Sequence, residues 1–172
     1  MEDQDFDISD VPKNEIVGLF GDFTFPRSGA GYDNNKKRNA TQSIINILNT
    51  IKPKLVYLIP SKGVNLYCTF ALSLLNIPYI LVTPHNKYYL SLSAKDRKRL
   101  IFACKNSKTL IALSDGGEAG KFSSKMHEAV EYISNSSGVM LGVSSRKPTE
   151  EFIRQMDIFT DNDKLCVWTR YR

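Results

Sequence analysis

Along the chain, short apolar runs alternate with segments whose apolar residues recur at helical spacing, the signature of strands exchanged with helices. Residues 15–20 read as a first strand, followed by a polar loop through Arg38 and a helix over residues 41–51 with Ile44, Ile45, Leu48 and Ile51 as its stripe. Residues 54–59 form a second strand, closed by Pro60, and residues 64–77 a helix apolar on nearly every side, a pattern that predicts burial. A third strand over 78–82, a helix over 94–103 and a fourth strand over 108–114 follow. Phe122, Met126, Ala129, Val130 and Ile133 then mark another helix, and residues 138–143 another strand. The tail predicts a helix over 149–159, with Pro148 suited to its start and Phe152, Ile153 and Met156 on one side, then an edge strand over 165–169. Strands alternating with helices imply a sheet covered on both faces and built from right-handed crossovers. The expected fold class is α/β, a Rossmann-like three-layer sandwich with a mainly parallel sheet.

A chain of 172 residues with 42% hydrophobic content supports one ordinary core. Residues 15–172 are therefore expected to form a single domain, without internal repeat or linker. Residues 1–14 read as a flexible acidic arm with few apolar groups to anchor it. Residues 1–15 carry net −5, so the remainder carries +10 to reach the chain's formal +5. Such an arm is able to compete with nucleic acid for the basic body, although a solvated tail is the simpler reading. Cys68, Cys104 and Cys166 are odd in number and far apart, a spacing that suits neither a disulfide framework nor a zinc site. Buried, reduced thiols are expected. Neither a charged-then-apolar leader nor an apolar run of membrane-spanning length is present, so the expectation is a soluble cytoplasmic protein with no membrane partner.

Candidate chemistry concentrates in loops after strands, because open α/β sheets bind ligands beyond the carboxyl ends of their strands. Foremost is Asp115-Gly116-Gly117-Glu118-Ala119-Gly120-Lys121, which joins the fourth strand to a helix. Glycines there let the backbone turn tightly and approach a ligand, while the free N–H groups and dipole of the helix favour an anion. Lys121 adds a positive charge; the plain alternative is a tight turn beside a solvated lysine. The segment resembles a P-loop, but only three residues separate Gly116 from Gly120-Lys121, and Phe122 stands where a Ser or Thr would hold magnesium. Gly18 and Gly21 near the end of the first strand lack a clean dinucleotide pattern, which disfavours NAD. Pro60-Ser61-Lys62-Gly63-Val64-Asn65 turns directly into the buried helix, where Ser61 and the terminal amides would hold an oxyanion or simply form a cap and turn. No cofactor and no metal is expected.

Taken in order, a glycine after the first strand, Ser61-Lys62-Gly63-Val64-Asn65 entering a buried helix, Pro84-His85 after the third strand, and Asp115-Gly116-Gly117-x-x-Gly120 before the next helix resemble the SLOG superfamily. That group includes YspA/YpsA-type proteins, Lonely Guy phosphoribohydrolases and DNA-processing protein A recombination mediators. The resemblance covers residues 15–143 and implies a Rossmann-like pocket for nucleotides, nucleotide-derived ligands or nucleic-acid phosphates. Departures are plain against the Gly-Gly-x-Gly-Thr-x-x-Glu pattern of Lonely Guy enzymes: the glycine spacing is longer by one, Lys121 stands near the Thr position and Ser124 at the Glu position. Glu128 and Glu118 are the available substitutes. In the related deoxyribosyltransferases a carboxylate attacks the sugar anomeric carbon, a role that suits a Glu anion; the competing reading for Glu128 is a surface helix residue paired with Lys125 or Lys121.

His85, just past the third strand, lies where a ligand or leaving group would be contacted, and near-neutral titration would permit proton transfer. His127 is expected on a helix flank with no paired carboxylate. Basic residues cluster as Lys36-Lys37-Arg38, Lys95-Arg97-Lys98-Arg99 and Arg146-Lys147, with Arg170 and Arg172 at the end; Tyr32, Tyr88 and Tyr89 lie near the first two clusters. Positive charge beside aromatic faces is the composition that grips single-stranded nucleic acid, although charge runs also serve as solvated faces. The leading expectation is a SLOG-like domain that binds a nucleotide or nucleotide-derived small molecule, as a sensor or sequestering module and as a homo-oligomer. The alternatives are a recombination-mediator-like protein that binds single-stranded DNA, and an N-glycosidic hydrolase or transferase using Glu128 or Glu118.

Overall fold

A computed structural model of the chain describes residues 11–21, 34–115, 122–144, 150–161 and 165–170. In chain order these are β1 (Ile16–Gly21), α1 (Asn34–Ile51), β2 (Leu55–Leu58), α2 (Val64–Leu74), β3 (Tyr79–Thr83), a 3-10 turn (Tyr88–Ser91), α3 (Ala94–Asn106), β4 (Thr109–Ala112), α4 (Phe122–Ser136), β5 (Val139–Ser144), α5 (Glu150–Asp161) and β6 (Leu165–Arg170). All six strands join one sheet in the order β4-β3-β2-β1-β5-β6, and every neighbouring pair is parallel.

Successive strand side chains point to opposite faces, and both faces are covered. Val17 and Leu19 of β1, Val56 and Leu58 of β2, Tyr79 and Leu81 of β3, and Val139, Leu141 and Val143 of β5 pack with Ile44, Leu48 and Ile51 of α1, Cys68 and Leu72 of α2, and Ala103 of α3. The intervening Phe20, Ile80, Val82 and Met140 pack instead with Ala129, Val130 and Ile133 of α4 and Met156 and Ile158 of α5. Helices α1 to α3 form one outer layer and α4 with α5 the other. The molecule is an α/β three-layer sandwich of Rossmann type.

Several expected boundaries move. Helix α1 starts at Asn34, inside what reads as a polar loop through Arg38; Lys and Arg are good helix formers even where no apolar stripe marks the turn. Helix α2 ends at Leu74 instead of Ile77. There Asn76 takes the left-handed conformation at φ 54, and the Ile77 amide donates back to Leu72 at 3.0 Å, the geometry that closes helix ends. Nor is α2 buried all round: Phe70 is 46% and Leu74 57% exposed. The apolar run over 108–114 supplies β4, which is an edge strand like β6, and Leu110 is 41% exposed. Cys68 is buried, as expected, but Cys104 is exposed on α3.

The chain lays β2, β3 and β4 outward from β1, and α4 then carries it back so that β5 pairs on the other side of β1. This reversal makes β1 and β5 the topological switch point, whose carboxyl ends are the usual ligand position in doubly wound sheets.

Candidate functional site

Beyond β2, the chain turns sharply into α2 around one carbonyl. The Ser61 amide donates to Ile59 O at 2.8 Å, and Asn65 Nδ2 donates to the same oxygen at 2.9 Å. Gly63 makes the bend at φ 89 and ψ −137, a conformation that a Cβ disfavours strongly. Helix α2 then begins without a side-chain cap. By contrast, α3 is capped by Ser93, whose hydroxyl accepts from the Asp96 amide at 3.2 Å. The first-turn amides of α2 thus keep donor capacity at the positive end of the helix dipole.

This end of α2 leans over the switch point. A Cβ placed on Gly21, the last residue of β1, would lie 2.7 Å from Val64 Cγ1 and 2.8 Å from the Val143 carbonyl of β5. Three polar side chains have almost no exposure: Ser61 at 2% and Asn65 at 4% on this turn and helix start, and Thr83 at 3% at the carboxyl end of β3, the strand beside β2. Ser61 Oγ, Asn65 Oδ1 and Thr83 Oγ1 are buried and make no hydrogen bond. Thr83 ends β3, and its register of two with Tyr79 and Leu81 puts it on the face that α2 covers. A buried polar group left unpaired costs about 1–3 kcal/mol, so these atoms call for a partner that the described residues do not supply.

The other candidates scatter. Gly18 lies within β1, where a Cβ would run into Met140 and Ile133, so it is a packing glycine inside the sheet and not part of a loop; Gly21 likewise ends the strand itself. Lys62 is exposed on the turn before Gly63. His85 is half-buried after β3; its Nδ1 accepts from the Lys87 amide at 3.2 Å and its ring meets Tyr88 edge-on at 6.3 Å. Loops after β3 and β4 are laced together, with Ser114 Oγ donating to Pro84 O at 3.0 Å and the Asn86 amide donating to Ser114 O at 3.1 Å. Asp115 follows as an exposed residue; Gly116, Gly117, Glu118, Gly120 and Lys121 lie outside the described residues. Glu128 is exposed on α4. His127 lies exposed on α4, 3.3 Å from Glu131 one helical turn on. Thr83 was the residue that sequence reasoning missed; its signal was a lone polar residue closing the apolar strand Tyr79–Thr83.

Two arginines of the basic cluster on α3 are held by their neighbours. Arg97 Nε donates to the carbonyls of Tyr89 at 2.9 Å and Leu92 at 3.1 Å, closing the 3-10 turn. Arg99 pairs with Asp96 at 2.9 Å, donates to Tyr67 Oη at 3.0 Å and lies 4.8 Å from the Tyr67 ring centroid. Lys98 and Arg99 border a cavity of about 380 Å³ between α1, α2 and α3, lined also by Thr41, Leu66, Phe70 and Phe102. Tyr88, expected beside the cluster as an aromatic face, is instead buried, whereas Tyr89 is exposed; Phe70 and Phe102 are exposed rings at the cavity, 6.0 Å apart. Tyr32, Arg146, Lys147 and Arg172 fall outside the described residues.

Burial raises the Tyr88 hydroxyl and the Cys68 thiol well above their ordinary ranges. Tyr79 is raised as well, by burial first, with the hydrogen bond from Ser73 pulling the other way. Among the described residues no group of three or more His, Cys, Asp or Glu gathers to hold a metal ion. No helix among them is long and apolar enough to cross a membrane.

No protein-family model matches the chain, and no curated protein does. Among solved structures the chain is similar to one titled crystal structure of Streptococcus suis SuiB bound to S-adenosylmethionine, with a TM-score of 0.34 and 13% identity, over 94% of this chain and 40% of that one. So loose a likeness, over less than half of that protein, carries no argument about ligand or activity.

Proposed function

We propose that this chain is a SLOG-like nucleotide-binding domain that holds a nucleotide or nucleotide-derived ligand, its phosphate or equivalent anionic oxygens seated at the amino end of α2. The supporting observation is that Ser61 Oγ and Asn65 Oδ1, at an uncapped helix start, and Thr83 Oγ1, at the end of the adjacent strand β3, are buried with no hydrogen-bond partner among the described residues. An anion placed there accepts from the two hydroxyls and the first-turn amides, and the helix dipole favours its charge. Lys62, exposed on the same turn, supplies counter-charge on approach. The chemistry of these residues is that of binding without turnover: they include no nucleophile with an adjacent base. Sensing or sequestration of the ligand is the activity that fits.

Native mass spectrometry of protein purified without added ligand, followed by calorimetry against nucleoside mono-, di- and triphosphates, tests the reading. A retained or saturating nucleotide is expected, with Ser61→Ala weakening it roughly tenfold, the worth of one hydrogen bond to a charged group. Failure of every nucleotide to saturate the protein, or equal affinity in wild type and Ser61→Ala, would overturn this placement.

Single-stranded nucleic acid is the second reading, and one observation favours it: Phe70 and Phe102, 46% and 40% exposed, share a groove with Lys98 and Arg99. Bases stack on such rings while the cations meet phosphate. Fluorescence anisotropy with an unstructured oligonucleotide should then give salt-sensitive binding that Phe102→Ala weakens; no saturation at low salt removes this reading.

A further inference from the structure

The orientation of the Asn65 amide is fixed by its partner. The Ile59 carbonyl, which can only accept, receives the Ser61 amide at 2.8 Å and Asn65 Nδ2 at 2.9 Å. Flipping the amide would set two acceptor oxygens against each other, so Oδ1 is the atom turned away from Ile59. It is buried and unpartnered. Unlike the hydroxyls of Ser61 and Thr83, which turn to donate or accept, an amide oxygen only accepts. A phosphate offers it further acceptors and leaves it unsatisfied; whatever meets Asn65 must bring an O–H or N–H.

We infer that Asn65 Oδ1 receives a sugar hydroxyl, so that the site takes a ribose-bearing ligand and discriminates against the sugar that lacks that hydroxyl. This rests on the reading of the α2 amino end as a nucleotide pocket. Asn65 is the second residue of α2, directly beside the amides that would hold the phosphate. Along a nucleoside 5′-phosphate the donors nearest the phosphate are the sugar hydroxyls, with the amino groups of the base beyond the sugar. A hydroxyl that donates to Asn65 needs nothing from Ser61 or Thr83, whose single hydroxyl protons go to the phosphate. One ribose edge therefore fills the needs that an all-acceptor anion leaves open. Removing that hydroxyl would strand Asn65 in a dry site, the condition under which polar recognition discriminates most strongly.

Calorimetry on the full chain with adenosine, guanosine, cytidine and uridine 5′-monophosphates, each beside its 2′,3′-dideoxy counterpart, tests the inference. At least one ribonucleotide should saturate, with its dideoxy form weaker by about tenfold or more; the 2′-deoxy and 3′-deoxy forms then identify the hydroxyl. Asn65→Leu should bind both forms equally. If that variant does not fold, the wild-type comparison decides alone. Equal wild-type affinity for ribose and dideoxyribose forms would mean that a buried water satisfies Asn65, and the inference falls while the nucleotide reading stands. No binding of any monophosphate removes both.

Discussion

Gly21 and Val64 meet where β1 ends and α2 begins: a Cβ on Gly21 would stand 2.7 Å from Val64 Cγ1, with the Val143 carbonyl at 2.8 Å behind it. The start of α2 is thereby pinned to the carboxyl ends of β1 and β5. Gly21→Ala is expected to overpack this corner and cost about 1–3 kcal/mol. Urea denaturation should show Val64→Ala in the same chain recovering only part of the loss, because the side chain can be trimmed and the carbonyl cannot.

Gly63 holds φ 89 and ψ −137 at the amino end of the same helix. An alanine there must bear backbone strain of about 1–3 kcal/mol or shift the turn. Thermal denaturation of Gly63→Ala should reveal the loss, while Lys62→Ala, a change on an exposed neighbour, should leave stability within about 0.5 kcal/mol.

Ser61→Ala and Thr83→Val remove hydroxyls that are buried and unpaired. In the ligand-free protein each change should be neutral or stabilising, by up to about 1–3 kcal/mol, since an unmet polar group disappears. The same changes should weaken ligand binding. Measured losses of stability in both ligand-free variants would show that these hydroxyls already have partners, such as buried water, and would undercut the site.

Alkaline pH should unfold the protein through groups held neutral. Burial raises the Cys68 thiol and the Tyr88 hydroxyl in the folded chain, whereas unfolded cysteine and tyrosine ionise near about 8.5 and 10. Because the unfolded state sheds protons first, stability is fully present below those values and declines above them, by about 1.4 kcal/mol per pH unit for each group. Denaturation followed from pH 7 to 11 should show a limb that begins near pH 8.5 and steepens near 10. Tyr88→Phe should flatten its upper part and Cys68→Ala its onset.

Much of this architecture is legible in the chain itself. Apolar runs such as Tyr79–Val82 and the Ile44, Leu48, Ile51 stripe report local burial, and local burial follows from period. The turn before α2 was legible too, because glycine and proline constrain the backbone wherever they stand. The polar opening of α1 was not, since Asn34 to Arg38 include no apolar residue for a periodicity to register.

What the sequence by itself determined is the alternation of strands and helices, and with it a parallel sheet enclosed by two helical layers. Strand order was decided only in three dimensions. It places β4 at the sheet's edge and sets β5 beside β1, because crossovers join strands that are distant in sequence. Thr83 acquires meaning in the same way: one polar residue closing an apolar strand is unremarkable until β3 aligns beside β2 and the residue is buried. Hydrogen-bond satisfaction is a property of assembled neighbours, so the unmet atoms of Ser61, Asn65 and Thr83 exist only in the tertiary structure.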